Sequence, residues 1–255
     1  MSIGFIVPCC IRKPIHMKSL DRCIRSIRKH HPETPIVVIV DYTSKLDRGD
    51  VSGYDNVIWE FDTEHVPADM LTHKYFLKNK YFQKSIVIQD SMEVLAPFEN
   101  VESIQCSYLW HFNNHRKEWS VIEEPRTLYN VSNNIVTHDD LVRHILKNFI
   151  TDTKFQDYAL DMYENKRLWS GCFGCLGIYD IKFIEKLEEQ THFTDFIVKM
   201  KSNRLRRAIE SIWSLACQYV VGQSIFDSFD GLYYDGTYHN KMRSKRIQKS
   251  SYNRQ

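Results

Sequence analysis

With 255 residues, 43% of them hydrophobic and 13% aromatic, the chain can bury a sizeable core as one large or two small domains. Its 34 lysines and arginines nearly balance 32 aspartates and glutamates, so no global field draws in nucleic acid or anionic lipid. Seven cysteines without framework spacing, and an N-terminus lacking a basic lead and a long apolar run, fit a reducing, cytoplasmic compartment without a secretory signal. No stretch approaches the roughly 20 apolar residues of a membrane span. In that compartment the sequon at Asn130 is expected to be silent.

Ile3 to Val7 is a continuous apolar run stopped by Pro8, the pattern of a buried parallel strand. Ser19 is expected to cap a helix with Leu20, Cys23, Ile24 and Ile27 on one face and Arg22, Arg25 and Arg28 outside it. That helix should end before Pro32. Pro35 to Asp41 reads as a second strand ending on a carboxylate, and Val57 to Phe61 as a short third. Pro67 is placed to open a helix carrying Met70, Leu71, Lys74 and Leu77. A fourth strand runs from Ile86 and ends on Asp90, with Glu93 three residues later. This alternation predicts an α/β protein with a mostly parallel central sheet flanked by helices. Carboxylates close the second and fourth strands, the end at which such sheets bind ligands.

Further on, Tyr108 to Trp119 is aromatic and polar, and Thr137 with Asp140 resembles a capping arrangement before Leu141, Ile145, Leu146 and Phe149. Trp169 to Gly177 is rich in glycine and cysteine, and Asp180 should cap a helix bearing Phe183, Ile184 and Leu187. A long helix from about 203 to 221 carries Leu205, Ala208, Ile209, Ile212, Trp213, Ala216 and Val220 on one face. No repeat or linker divides the chain, so a single compact domain over 1–240 is expected. The basic segment 241–255, with Lys241, Arg243, Lys245, Arg246, Lys249 and Arg254, reads as a solvated tail or as a phosphate or membrane-surface contact.

Several of these positions carry candidate chemistry. The loop Pro8-Cys9-Cys10-Ile11-Arg12 can present backbone amides and a guanidinium to a nucleotide, or simply connect strand to helix. Glycine fingerprints of dinucleotide and phosphate-loop folds are absent. Asp41 can accept from a base edge or a ribose hydroxyl, or shape a turn. In an extended strand Asp90 shares a face with Met92, and it meets Glu93 only if the chain turns at Ser91. One aspartate alone is a poor cage for a hard divalent ion. Cys172 and Cys175 have the spacing of a zinc or redox half-site but no second pair, which favours packing. Gly171, Gly174 and Gly177 let the backbone approach a ligand, and Trp169 offers a face for a sugar or base. Glu210 falls at the edge of the long helix's apolar face, where partial burial suits a general base. An ordinary pair with Arg206 is its alternative. His239 can close over an ion or diphosphate, or sit at the surface.

Taken in order, Ile3 to Arg12, the strand ending on Asp41, Ile86 to Met92, Trp169 to Gly174 and Arg206 to Trp213 resemble glycosyltransferases of the GT-A fold. The resemblance implies a nucleotide-binding half over 1–100 and an acceptor and catalytic half over 101–240. It implies donor contacts from Pro8, Cys10, Arg12, Asp41, Lys74, Asp90, Ser91, Gly171 and Gly174, an acceptor contact from Trp169, and Glu210 as the base of an inverting transfer to a glycan or other hydroxyl. It also implies Mn²⁺ or Mg²⁺ on the diphosphate of a donor such as a UDP-sugar, held by Asp90 with Glu93 and His239. Met92 stands where the family carries a second aspartate, so Arg12, Lys74 and the C-terminal cations are the alternative neutralising groups. A sugar-nucleotide nucleotidyltransferase and a non-catalytic sugar or nucleotide binder are the rival readings.

Overall fold

Four apolar runs in the first ninety residues form the parallel part of a six-stranded sheet. In this computed structural model, which describes residues 2–46, 53–63, 65–66, 68–113, 130–131, 134–135, 138–199, 206–225, 229 and 246–249, these runs are β1 (Ile3–Cys9), β2 (Ile36–Val40), β3 (Val57–Phe61) and β4 (Lys84–Val87). Helices α1 (Pro14–His30) and α2 (Ala68–Asn79) lie between them. β1 pairs in parallel with β2 on one side and β4 on the other, in the registers Phe5 to Ile36 and Ile6 to Val87.

The chain continues through β5 (Met92–Val94), β6 (Cys106–Tyr108), β7 (His111–Asn113), β8 (Asn130–Val131) and β9 (Asn134–Ile135). Then come α3 (His138–Phe149), α4 (Thr153–Glu164), β10 (Ser170–Cys172), β11 (Gly177–Asp180), α5 (Ile181–Thr191), α6 (Phe193–Ile197), α7 (Arg206–Val221) and β12 (Ile247–Lys249). The main sheet has the order β3-β2-β1-β4-β11-β6. β11 runs antiparallel to both its neighbours, so the sheet is mostly parallel, as the sequence predicts.

Burial explains the order. Phe5, Ile6 and Val7 and all of β2 are buried, as a strand covered on both faces requires. The α1 face of Leu20, Cys23, Ile24 and Ile27 packs into the same core, each leucine or isoleucine there stabilising by about 1.5–3 kcal/mol. The first strand and helix differ from expectation. β1 runs through Pro8 to Cys9, because Pro8 O still accepts the Asp90 amide at 3.4 Å and only its donor side is lost. α1 starts at Pro14, not at Ser19; proline is pre-set for a first helical position, and Ser19 instead donates from inside the helix.

Ile86 to Asp90 is not one strand. β4 stops at Val87 and the chain turns, with Met92 N donating to Gln89 O at 3.0 Å, before β5 pairs with β12. The basic segment after 241 therefore contributes a strand, and Arg246 Nε donates to Pro97 O at 3.0 Å while its guanidinium covers Phe229. Asp180 caps α5 as expected, accepting from Lys182 N at 2.9 Å. Helix α4, absent from the sequence reading, has its own legible signal in the Asp152 cap and in Phe155, Ala159 and Tyr163 at helical spacing. Thr137, Pro67 and the start of the long helix before Arg206 lie outside the described residues.

Candidate functional site

The strand order sets the C-terminal ends of β1 and β4 next to each other. After β1 the chain goes to β2 on one side, and β4 later fills the other, so the loops after β1 and β4 lie side by side at the C-terminal end of the sheet. Ligands of open α/β sheets bind at this topological switch point. Between these loops Cys10 N donates to Asp90 Oδ2 at 3.4 Å. From below, Ser19 Oγ donates to Asp90 O at 3.2 Å and Cys23 Sγ to Gln89 O at 3.6 Å. The first turns of α1 thus fix the backbone that carries Asp90.

A second loop, after β2, is tied to the first. Asp41 is buried, and its Oδ1 accepts from Thr43 N at 2.8 Å and Thr43 Oγ1 at 2.5 Å. Arg12 reaches the same hydroxyl through Nε and Nη2 at 3.1 and 2.7 Å. Ile11 N donates to Ser44 Oγ at 3.0 Å, and Lys45 N returns a bond to Ile11 O at 2.6 Å. His16 Nδ1 sits between Cys10 O and Arg12 N at 3.0 and 3.2 Å. Pro8, Cys10, Arg12, Asp41 and Asp90 are therefore brought to one sheet edge. Tyr42, next to Asp41, meets His65 edge to face at 5.1 Å on the exposed rim. Sequence reasoning missed Thr43 and Ser44, although hydroxyl residues two and three positions after a strand-ending aspartate are a turn signal.

Of the residues expected to hold an ion, Asp90 lies in the turn after β4, and Met92 and Glu93 open β5. Met92 is fully buried and its sulfur accepts Gln89 N at 3.4 Å, a soft atom already engaged beneath the turn. Glu93 is half-buried in β5, opposite Gln248. Among the described residues Asp90 and Glu93 are not part of any set of three His, Cys, Asp or Glu side chains with ligand atoms within 4.8 Å of one another. Divalent Mn²⁺ or Mg²⁺ asks for several oxygen donors, of which this pair would be a part; His239 lies outside the described residues.

In the second half of the chain the expected residues are mostly packed. A side chain at Gly171 would overlap the Phe112 ring across the β7–β10 pair, so this glycine makes room for an aromatic and not for a ligand. Gly174 differs. It has φ +62 and lies in a short turn, Phe173–Cys175, where an added Cβ would stand 3.0 Å from Gln89 Nε2. That turn thus reaches the residue beside Asp90. Trp169 is 1% exposed and lies against Tyr163 at 5.6 Å, so its ring belongs to the core.

Helix α7 covers β10 and the 173–175 turn and carries Glu210 half-buried, with Cys172 among its electrostatic neighbours. Behind it Trp213 stacks on His73 at 3.7 Å and donates from Nε1 to Tyr179 OH at 3.0 Å. Tyr179 OH in turn donates to Cys175 O at 3.1 Å, which ties the turn to α7. Lys74 is half-buried on α2 beside His73, and Ser91 is on the turn after β4. Burial pushes the Cys9, Cys10 and Cys172 thiols up from their ordinary value, so they are neutral packing groups and not thiolate nucleophiles or ligands.

No protein-family model matches the chain, and no curated protein sequence matches it. Among solved structures it is similar to TarS of S. aureus, at 12% identity and TM-score 0.46 over 91% of this chain and 36% of that one. It is similar to S. aureus TarS 1–349 in complex with UDP, at 12% identity and TM-score 0.43 over 92% of this chain and 60% of that one. It is also similar to Core-mannan synthase A (CmsA/Ktr4) of Aspergillus fumigatus in its Mn/GDP form, at 10% identity and TM-score 0.45 over 88% and 72%. The chain thus spans 36% of the length of the first of these.

Proposed function

We propose that this protein transfers a glycosyl group from a nucleotide-sugar donor to an acceptor hydroxyl. The observation that carries the reading is the hydrogen-bonded set of loops after β1, β2 and β4, which brings Asp90, Arg12 and Asp41 to one sheet edge. Asp41 accepts from the base edge or the ribose, and the Cys10 loop and Asp90 hold the middle of the donor. Ser91, Lys74 and Gly174 complete the donor side; Phe112 occupies the space beside Gly171. Trp169 supports the acceptor side from within the core. Glu210 removes the proton of the acceptor hydroxyl, whose oxygen attacks the anomeric carbon as its bond to the diphosphate breaks, with inversion. Because Met92 supplies no carboxylate, the leaving diphosphate is neutralised by Arg12.

Incubation with a panel of sugar nucleotides, with and without Mn²⁺, should release nucleoside diphosphate from at least one donor, with little dependence on the ion. No release and no donor binding by calorimetry would discard the transferase. Strong dependence on Mn²⁺ would return the ion and make Asp90 its ligand. The buried Met92 also favours a second reading, a binder of sugar nucleotides without turnover, which the same panel reports as binding without release.

A further inference from the structure

The hydroxyl of Thr43 has one proton and two lone pairs, and all three are spent on charged neighbours. The proton goes to Asp41 Oδ1 at 2.5 Å; the lone pairs face Arg12 Nε at 3.1 Å and Nη2 at 2.7 Å. Among the described residues Arg12 and Asp41 make no direct ion pair, so they meet only through this oxygen. The Cys10 sulfur lies 3.5 Å from it as well. Arg12 is exposed, and its Nη1 has no hydrogen-bond partner among the described residues; nor has Asp41 Oδ2. Each charged group is therefore held by one edge and presents the other.

We infer that Thr43 is a positioning residue that joins Arg12 and Asp41 into one recognition unit for the two ends of a nucleoside diphosphate, the guanidinium at the diphosphate and the carboxylate at the nucleoside. The inference rests on the donor site proposed above. A chain of hydrogen bonds running from a cation through a hydroxyl to an anion polarises each member. Binding at one end then strengthens the orientation of the other. Arg12 would otherwise be a long exposed side chain with full rotamer freedom, and fixing it beforehand removes that entropic cost from binding.

The test is calorimetry of the full chain with UDP and GDP, and with uridine and guanosine, for wild type and for Thr43→Val, Thr43→Ser, Arg12→Ala and the Arg12→Ala/Thr43→Val double variant. Thr43→Val should weaken the better-bound diphosphate about tenfold or more, and its nucleoside by a smaller factor. Thr43→Ser should recover to within about threefold of wild type. In the Arg12→Ala background the valine should add about twofold or less, the non-additivity expected of two groups acting as one. A merely structural role would weaken both ligands equally and additively. Wild-type binding with Thr43→Val indistinguishable from it, or an additive double variant, would overturn the role of Thr43 alone. No binding of either diphosphate by wild type would overturn it together with the donor site.

Discussion

The two halves of this fold handle polar chemistry in opposite ways. At the edge formed by residues 10–12, 41–45 and 88–91, side chains and amides are joined by hydrogen bonds that leave outward edges for a ligand. Around β10, the 173–175 turn and α7, the space is filled by rings: Phe112 over Gly171, Tyr163 on Trp169, His73 on Trp213. In the proposed reading the first region binds and the second holds a shape, with Glu210 at its margin. Binding and turnover should therefore separate by region.

The largest break should come from Glu210→Gln, which keeps size and polarity while removing the proposed base. Turnover is expected to fall about 10²–10⁴-fold with donor affinity unchanged, read by product release beside calorimetry. Asp90→Ala should do the reverse at the level of binding, losing about 10²-fold or more of donor affinity as a charged hydrogen-bonding partner and the Cys10 tether go together. If the two variants exchanged phenotypes, the division of labour between the halves would be wrong.

Gly171→Ala tests packing, since its methyl group enters the Phe112 ring. Urea unfolding should show a loss of about 1–3 kcal/mol. A second test of the ring-filled region works through pH. Burial pushes the pKa of His73 down to about 3, against a slight rise from the Cys175 backbone. The unfolded chain then carries one more proton between about pH 6.5 and 3. Stability is full above that window and should fall as the pH drops through it, by about 1.4 kcal/mol per pH unit for this one group. His73→Phe keeps a ring against Trp213 and should remove that slope in unfolding curves measured from pH 7 to 4.

Much of the first region was legible in the sequence, for a physical reason. Strands buried on both faces are nearly pure β-branched runs, so Ile3–Val7 and Ile36–Val40 announce themselves, and a carboxylate after such a run has few places to go. Asp41 and Asp90 follow from that logic. Thr43 escaped because its role depends on Arg12, thirty-one positions earlier, and no local pattern encodes a contact of that range. The Asp90 turn was obscured because the apolar run Ile86 to Ile88 leads straight into it, while β12, distant in sequence, decides where β5 pairs. In the second half, glycine signals closeness without saying to what. Gly174 approaches Gln89 and Gly171 an aromatic ring, two outcomes that one residue type cannot distinguish.

The pairing of β5 with β12 also sets an order of events. Gln248 lies opposite Glu93, so the strand immediately after the Asp90 turn stays an open edge during synthesis until Lys249 has been made. Domains assemble from the N-terminus as they are synthesised, and contacts of long sequence separation close late. A nascent chain can therefore have its parallel core in place while the segment leading out of the Asp90 turn is still without its partner strand.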